Sequence, residues 1–185
     1  AYFTLDQPAL ITVDIDGQMD GQNTGKGYEG LPINTVSLFA HPIFDKPEIG
    51  APGVFVVKPG DKPPTDPKSY TTLYFSAGVH DIGRNFKVYE NKQYFIRGDA
   101  RVYGTMNNLG GGSGKNIKIF GVGTLSGDKI IHPQFDPEAK PTKTSSGRGA
   151  IESEWKSIDI ENGENVVVEG VCVANPACHA VHLTA

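Results

Sequence analysis

Three stretches decide how this chain folds: Gln93-Tyr94-Phe95-Ile96-Arg97-Gly98, Asn116-Ile117-Lys118-Ile119-Phe120-Gly121 and Asn165-Val166-Val167-Val168-Glu169-Gly170. Each opens on a side-chain amide, continues with alternating apolar residues and reaches glycine five positions later. A second short apolar run follows each glycine: Ala100–Tyr103, Val122–Leu125 and Val171–Val173. Alternation with a period of two marks a strand with one face buried. The glycine supplies backbone freedom for a bend, and the leading amide can hydrogen-bond to its counterpart in a neighbouring copy. The first two copies start 23 residues apart; the third follows after 49, which reads as two such periods with an insertion inside. A strand-bend-strand unit of this length is what a parallel β-helix requires, because one coil cannot bury its apolar face alone and must stack on the next. A β-sandwich also uses regularly spaced short strands, but the repeated amide-to-glycine spacing favours the β-helix.

The same pattern extends outward through the chain. Strands are expected at Leu10–Ile15, Thr35–Ala40, Val54–Lys58, Thr72–Phe75, Lys87–Tyr89, Tyr94–Ile96, Ala100–Tyr103, Ile117–Phe120, Ser157–Ile160, Val166–Val173 and Ala180–Leu183. Turn residues interrupt every run, at Asp16-Gly17, Pro59-Gly60-Asp61 and Gly110-Gly111-Gly112-Ser113-Gly114. From His132 to Arg148 the chain carries three prolines and a Ser/Thr cluster, the clearest linker-like stretch. The fold class is all-β. Residues 1–69 read as a β-rich N-terminal, capping or sandwich-linker segment, and residues 70–185 as the first rungs of a parallel β-helix. Ala180-Val181-His182-Leu183 looks like a strand opening just before the sequence stops without a polar cap, so the expectation is a fragment of a longer solenoid or one whose remaining rungs lie on another chain.

With 185 residues, 38% of them apolar and 21% charged, the chain can bury a core. Lys+Arg 17 against Asp+Glu 21 gives a net charge of −4 without a basic stripe, which disfavours nucleic acid and other polyanions. No apolar run is long enough for a membrane helix. The N-terminus shows no basic region leading into an apolar one, so either a signal has been removed or the sequence starts inside a longer chain. Cys172 and Cys178 can pair only if a turn brings them together; otherwise they are reduced core thiols.

Two motifs fail on spacing. Asp14, Asp16 and Asp20 surround Gly17 without the ligand positions of a calcium loop. The run ending in Gly114-Lys115 has Leu109 and Asn116 where a phosphate loop needs glycine and a hydroxyl residue.

Four blocks in order are similar to glycoside hydrolase family 49, the dextranases and isopullulanases. They are Val13-Asp14-Ile15-Asp16-Gly17-Gln18-Met19-Asp20, Thr72–Gly83, Gly98–Thr105 and Gly121-Val122-Gly123-Thr124-Leu125-Ser126-Gly127-Asp128. The resemblance implies a secreted enzyme, monomeric at full length, with a β-sandwich followed by a right-handed, pectin-lyase-like parallel β-helix. It implies endo-hydrolysis of α-1,6 bonds in dextran with inversion and no metal or organic cofactor. Inversion uses one carboxylic acid and one carboxylate about 6.5–9.5 Å apart, which leaves room for the attacking water. The family's aspartates lie in an Asn-x-Asp context and an Asp-Asp pair, and this sequence contains neither. The resemblance therefore puts the catalytic residues beyond Ala185. An isopullulanase, another polysaccharide hydrolase on this fold and a non-catalytic carbohydrate-binding β-helix are the rivals.

Three residues are candidates for polysaccharide contact. His182 should point outward if Val181 and Leu183 point inward, and can then meet sugar hydroxyls. His179, three positions earlier at a turn, should fall on the opposite side of the strand. Trp155, the only tryptophan, either offers a ring face to a sugar or packs over a rung. Tyr94, Phe95 and Phe120 read as packing residues, and Glu152 and Glu154 as solvated surface.

Overall fold

Short alternating runs joined by glycine and asparagine turns can satisfy their backbone groups only by pairing with runs from elsewhere in the chain. A computed structural model describes residues 4–15, 34–42, 45–110, 112–132 and 155–185. Asp16, Gly17, Asp20, Gly111, Glu152, Glu154 and most of the Pro-rich stretch (133–148) lie outside the described residues.

The chain divides into two units, Ala1–Asp45 and Lys46–Ala185. In the first, β1 (Ala9–Asp14) and β2 (Thr35–Ala40) form an antiparallel pair. Among the described residues of the second unit every strand pairing is parallel. Its first sheet stacks β3 (Val54–Val57), β4 (Thr72–Phe75), β6 (Gln93–Ile96), β9 (Lys118–Gly121) and β13 (Val167–Glu169). Its second contains β5 (Gly78–Lys87), β7 (Ala100–Asn107), β10 (Thr124–Ser126), β11 (Ile158–Ile160), β14 (Cys172–Ala174) and β15 (Val181–Leu183). A third is the short pair β8 (Gly114–Lys115) and β12 (Gly163–Glu164). From β6 onward the chain visits the first, second and third sheets in rotation, and each return to the first adds a strand beside the previous one. One 3-10 turn, Pro67–Ser69, is capped by Asp66, whose carboxylate accepts from the Lys68 amide at 2.9 Å.

The register shows why the sequence stacks. Leu73, Tyr94, Ile119 and Val168 form one inward column of the first sheet, and Val57, Phe75 and Ile96 form a second. From the second sheet Val102, Leu125 and Val173 meet them. Tyr74, Phe95 and Phe120 face the other way and stack on one another, with ring centroids 4.9 and 5.1 Å apart. Packing therefore claims Tyr94, Phe95 and Phe120, as expected, but on two different faces.

The amide ladder exists, with one member different from the expected one. Asn116 Nδ2 donates to Asn91 Oδ1 at 2.8 Å, and Asn165 Nδ2 donates to Asn116 Oδ1 at 2.9 Å. The first rung is Asn91, not Gln93: Gln93 pairs with Lys118, so the first copy sits two residues out of its expected frame. All three asparagines have positive φ (59°, 51° and 55°). Asparagine is the non-glycine residue best suited to that region, whereas glutamine has no such advantage. Gly98 accordingly lacks positive φ, while Gly121 and Gly170 have it.

Three other expectations change. The interval of 49 residues is one coil, not two, because β9 and β13 are direct neighbours. Its extra length leaves after β10 and returns at β11, two strands that pair with successive halves of β7. The strand expected at Lys87–Tyr89 instead ends at Lys87 and begins at Gly78; register shifts around Gly83 break the alternation that would have revealed it. The run Val166–Val173 is two strands, broken at Gly170 (φ 74°).

Candidate functional site

In β7 the alternation sends Ala100, Val102 and Met106 into the core and Arg101, Tyr103 and Asn107 outward. Parallel register carries the outward set across the second sheet. One row is Val79, Arg101, Thr124 and Cys172; the next is Asp81, Tyr103, Ser126 and Ala174. Residues from the blocks Thr72–Gly83, Gly98–Thr105 and Gly121–Asp128 thus lie side by side on one face, although about twenty positions separate each from the next.

Polar groups on this face are fixed by one another. Asp128 accepts from Ser126 Oγ at 2.7 Å, Asn175 Nδ2 at 2.6 Å and Arg101 Nη2 at 2.5 Å. Lys129 Nζ donates to Asp81 Oδ2 at 2.7 Å, and the Gly83 amide donates to Asp81 Oδ1 at 3.1 Å. The Arg101 guanidinium carbon and Lys129 Nζ lie 5.3 and 4.7 Å from the centroid of the Tyr103 ring, within the range of cation–π attraction. Around Tyr103 the carboxylates of Asp81 and Asp128 balance the cations of Lys129 and Arg101, so this part of the face carries no net charge.

The hydroxyl of Ser126, then the Asn175 amide and the Arg101 guanidinium, hold the Asp128 carboxyl below the usual carboxylate range. The Lys129 ammonium does the same for Asp81. A depressed folded-state pKa contributes stability that is complete above the unfolded value, about 3.9 for aspartate, and is lost as pH falls through the lower folded value. Asp128→Asn should therefore flatten the acid side of a plot of thermal midpoint against pH below about pH 5. An acid limb as steep as the wild type's would contradict the assigned network.

Val181 and Leu183 pair in register with the core residues Ile158 and Ile160, and His182 pairs with Asp159 on the outward side; Val181 and Leu183 are themselves exposed on this last strand, while His182 is half-buried. His179 does not fall on the opposite side. It lies before β15, where strand alternation does not apply, and its ring centroid is 6.1 Å from that of His182. Trp155 occupies a packed position with 1% exposure; its Nε1 donates to the Ile131 carbonyl, and Arg84 lies 4.9 Å above the ring. Cys172 and Cys178 are unpaired and neither is a core thiol: Cys172 is exposed and Cys178 half-buried.

Sequence reading gave Asp159 no catalytic role and did not foresee its setting: its carboxylate is fully buried against His182 and Lys156. Its signal was a charged residue between two isoleucines in an apolar run; Lys156 is only three residues before it, but His182 lies on another strand. Beside the asparagine ladder is an open groove of about 400 Å³ lined by Asn91, Gln93, Asn116, Lys118 and Asn165 among others. Among the described residues no three His, Cys, Asp or Glu side chains are grouped to hold a metal. No protein-family model matches the chain, and no curated protein matches it.

Proposed function

We propose that the second unit is a right-handed parallel β-helix, that the chain is part of a secreted endo-acting α-glucan hydrolase of the dextranase type, and that the outward face of its second sheet binds the polysaccharide. Rotation of the chain through three sheets supports the solenoid, and parallel crossovers are overwhelmingly right-handed. The observation that carries the functional reading is the charge-balanced face around Tyr103. Fixed donors and acceptors beside an aromatic ring suit a neutral, hydroxyl-rich ligand, whereas a uronic acid polymer calls for an excess of cations.

Among the described residues on the outward side of the second sheet, Asp81 is engaged by Lys129, Asp128 by three donors and Asp159 by His182. The face is therefore assigned to sugar binding. Bond cleavage with inversion goes to the aspartates that the family resemblance puts beyond Ala185. The same engagement favours, as a second reading, a non-catalytic carbohydrate-binding β-helix.

Native gels containing dextran, pullulan or polygalacturonate test this directly. Dextran should retard the protein and polygalacturonate should not; stronger retardation by pullulan would indicate the isopullulanase type. Tyr103→Ala should weaken retention about tenfold, the equivalent of losing roughly 1.4 kcal/mol of ring contact. In a protein that continues past Ala185, release of reducing ends as β-anomers supports the hydrolase, and retention without release supports the binding module. Retardation by polygalacturonate alone overturns both.

A further inference from the structure

A second outward row crosses the same sheet: Lys87 of β5, Asn107 of β7, Asp159 of β11 and His182 of β15 pair in register. Asn107 and Asp159 are fully buried, and buried polar groups are costly unless hydrogen-bonded. Asn107 is satisfied: its Oδ1 accepts from Lys87 Nζ at 2.8 Å and its Nδ2 donates to Asn85 Oδ1 at 2.8 Å. Asp159 turns to the other side of the row, where its Oδ1 lies 2.7 Å from His182 Nδ1. Lys156 Nζ lies 3.4 Å from Asp159 Oδ2 and 3.2 Å from the same His182 nitrogen.

His182 Nδ1 cannot serve both neighbours, since it would have to donate to the carboxylate and accept from the ammonium. The shorter contact decides. A ring lone pair 2.7 Å from a carboxylate oxygen would be repelled, so Nδ1 carries the hydrogen and donates to Asp159. Lys156 then acts as the charge partner of Asp159. In the neutral ring this leaves the lone pair on Nε2. The His182 side chain is 31% exposed while that of Asp159 is 0%; with Nδ1 held against Asp159 and Lys156, the exposed part of the ring is the side that carries Nε2.

We propose that Asp159 is a positioning residue that fixes this tautomer, so that His182 Nε2 accepts a hydrogen bond from a sugar hydroxyl; the proposal rests on the glucan-binding reading above. Tyr103 and Asn107 are four residues apart on β7, so the two outward rows lie about 13 Å apart along the strand. An extended oligosaccharide spans that separation and a disaccharide does not. His182 thus discriminates by chain length.

Long-range ¹H–¹⁵N spectra of the histidine rings, recorded with isomaltose and isomaltohexaose, test this. The wild-type ring should carry its hydrogen on Nδ1, and Nε2 should shift with the hexaose only. His182→Ala should weaken hexaose binding five- to tenfold and leave isomaltose within twofold. Asp159→Asn replaces the acceptor with an amide that can donate to Nδ1, so the hydrogen should move to Nε2 and hexaose affinity should fall with it. His182→Gln, at a partly exposed position, keeps an acceptor and should retain part of the affinity if Asp159→Asn fails to fold. An Nε2–H tautomer in the wild type, or unchanged hexaose binding by His182→Ala, overturns the inference while the glucan reading stands. If the wild type binds neither saccharide, that reading fails and this inference fails with it.

Discussion

Gly121→Ala should abolish stable folding. Gly121 has φ +127°, a region closed to residues with a side chain, and an added Cβ would lie 2.0 Å from the Ile96 carbonyl oxygen and 2.8 Å from its carbon. These atoms belong to the neighbouring strand's backbone, so the clash cannot relax by a rotamer change. Strain and lost stacking together should cost about 4 kcal/mol or more, a large share of the roughly 5–15 kcal/mol that holds a domain together. Gly60→Ala is the control. Gly60 also has positive φ (+86°) but nothing within 4 Å of the added atom, so only the conformational cost of about 1–2 kcal/mol applies. Urea denaturation of the two variants measures the difference; equal losses would mean that the coils do not approach as closely as described.

Ile119→Ala should have the next largest effect. Ile119 is fully buried between Tyr94 and Val168, so truncation leaves a cavity between coils in the middle of the stack. Such substitutions cost about 2–5 kcal/mol. Val122, three residues later, is 49% exposed, and Val122→Ala should change stability by no more than about 0.5 kcal/mol. Comparable losses at the two positions in a urea titration would contradict the assignment of faces in this coil.

The strand-bend-strand repeat was legible because period-two burial and glycine bends are local. Asn116 and Asn165 stack as their shared frame requires, and the 25 residues from Asn91 to Asn116 carried the same signal once left-handed backbone geometry selects asparagine over glutamine. β5 was hidden because His80 occupies an inward position, opposite Val102, where an apolar residue was expected. Its Nε2 donates to the Ser76 carbonyl at 2.7 Å, and its ring packs edge-on against Phe75, so a residue that reads as polar fills a core position. The outward face was the least legible part. Asp81, Arg101, Tyr103 and Asp128 meet only through parallel register, and Asp159 finds His182 23 residues away. No spacing rule within one coil predicts such contacts.

A ¹⁵N-HSQC titration with isomaltohexaose tests most directly whether successive coils build one glucan-binding face. The expected result is a joint, saturable shift of the amides at Val79–Asp81, Arg101–Tyr103 and Thr124–Asp128, segments far apart in sequence and adjacent in the second sheet. Shifts confined to the groove beside Asn91, Asn116 and Asn165, or no saturable shift at all, would contradict it.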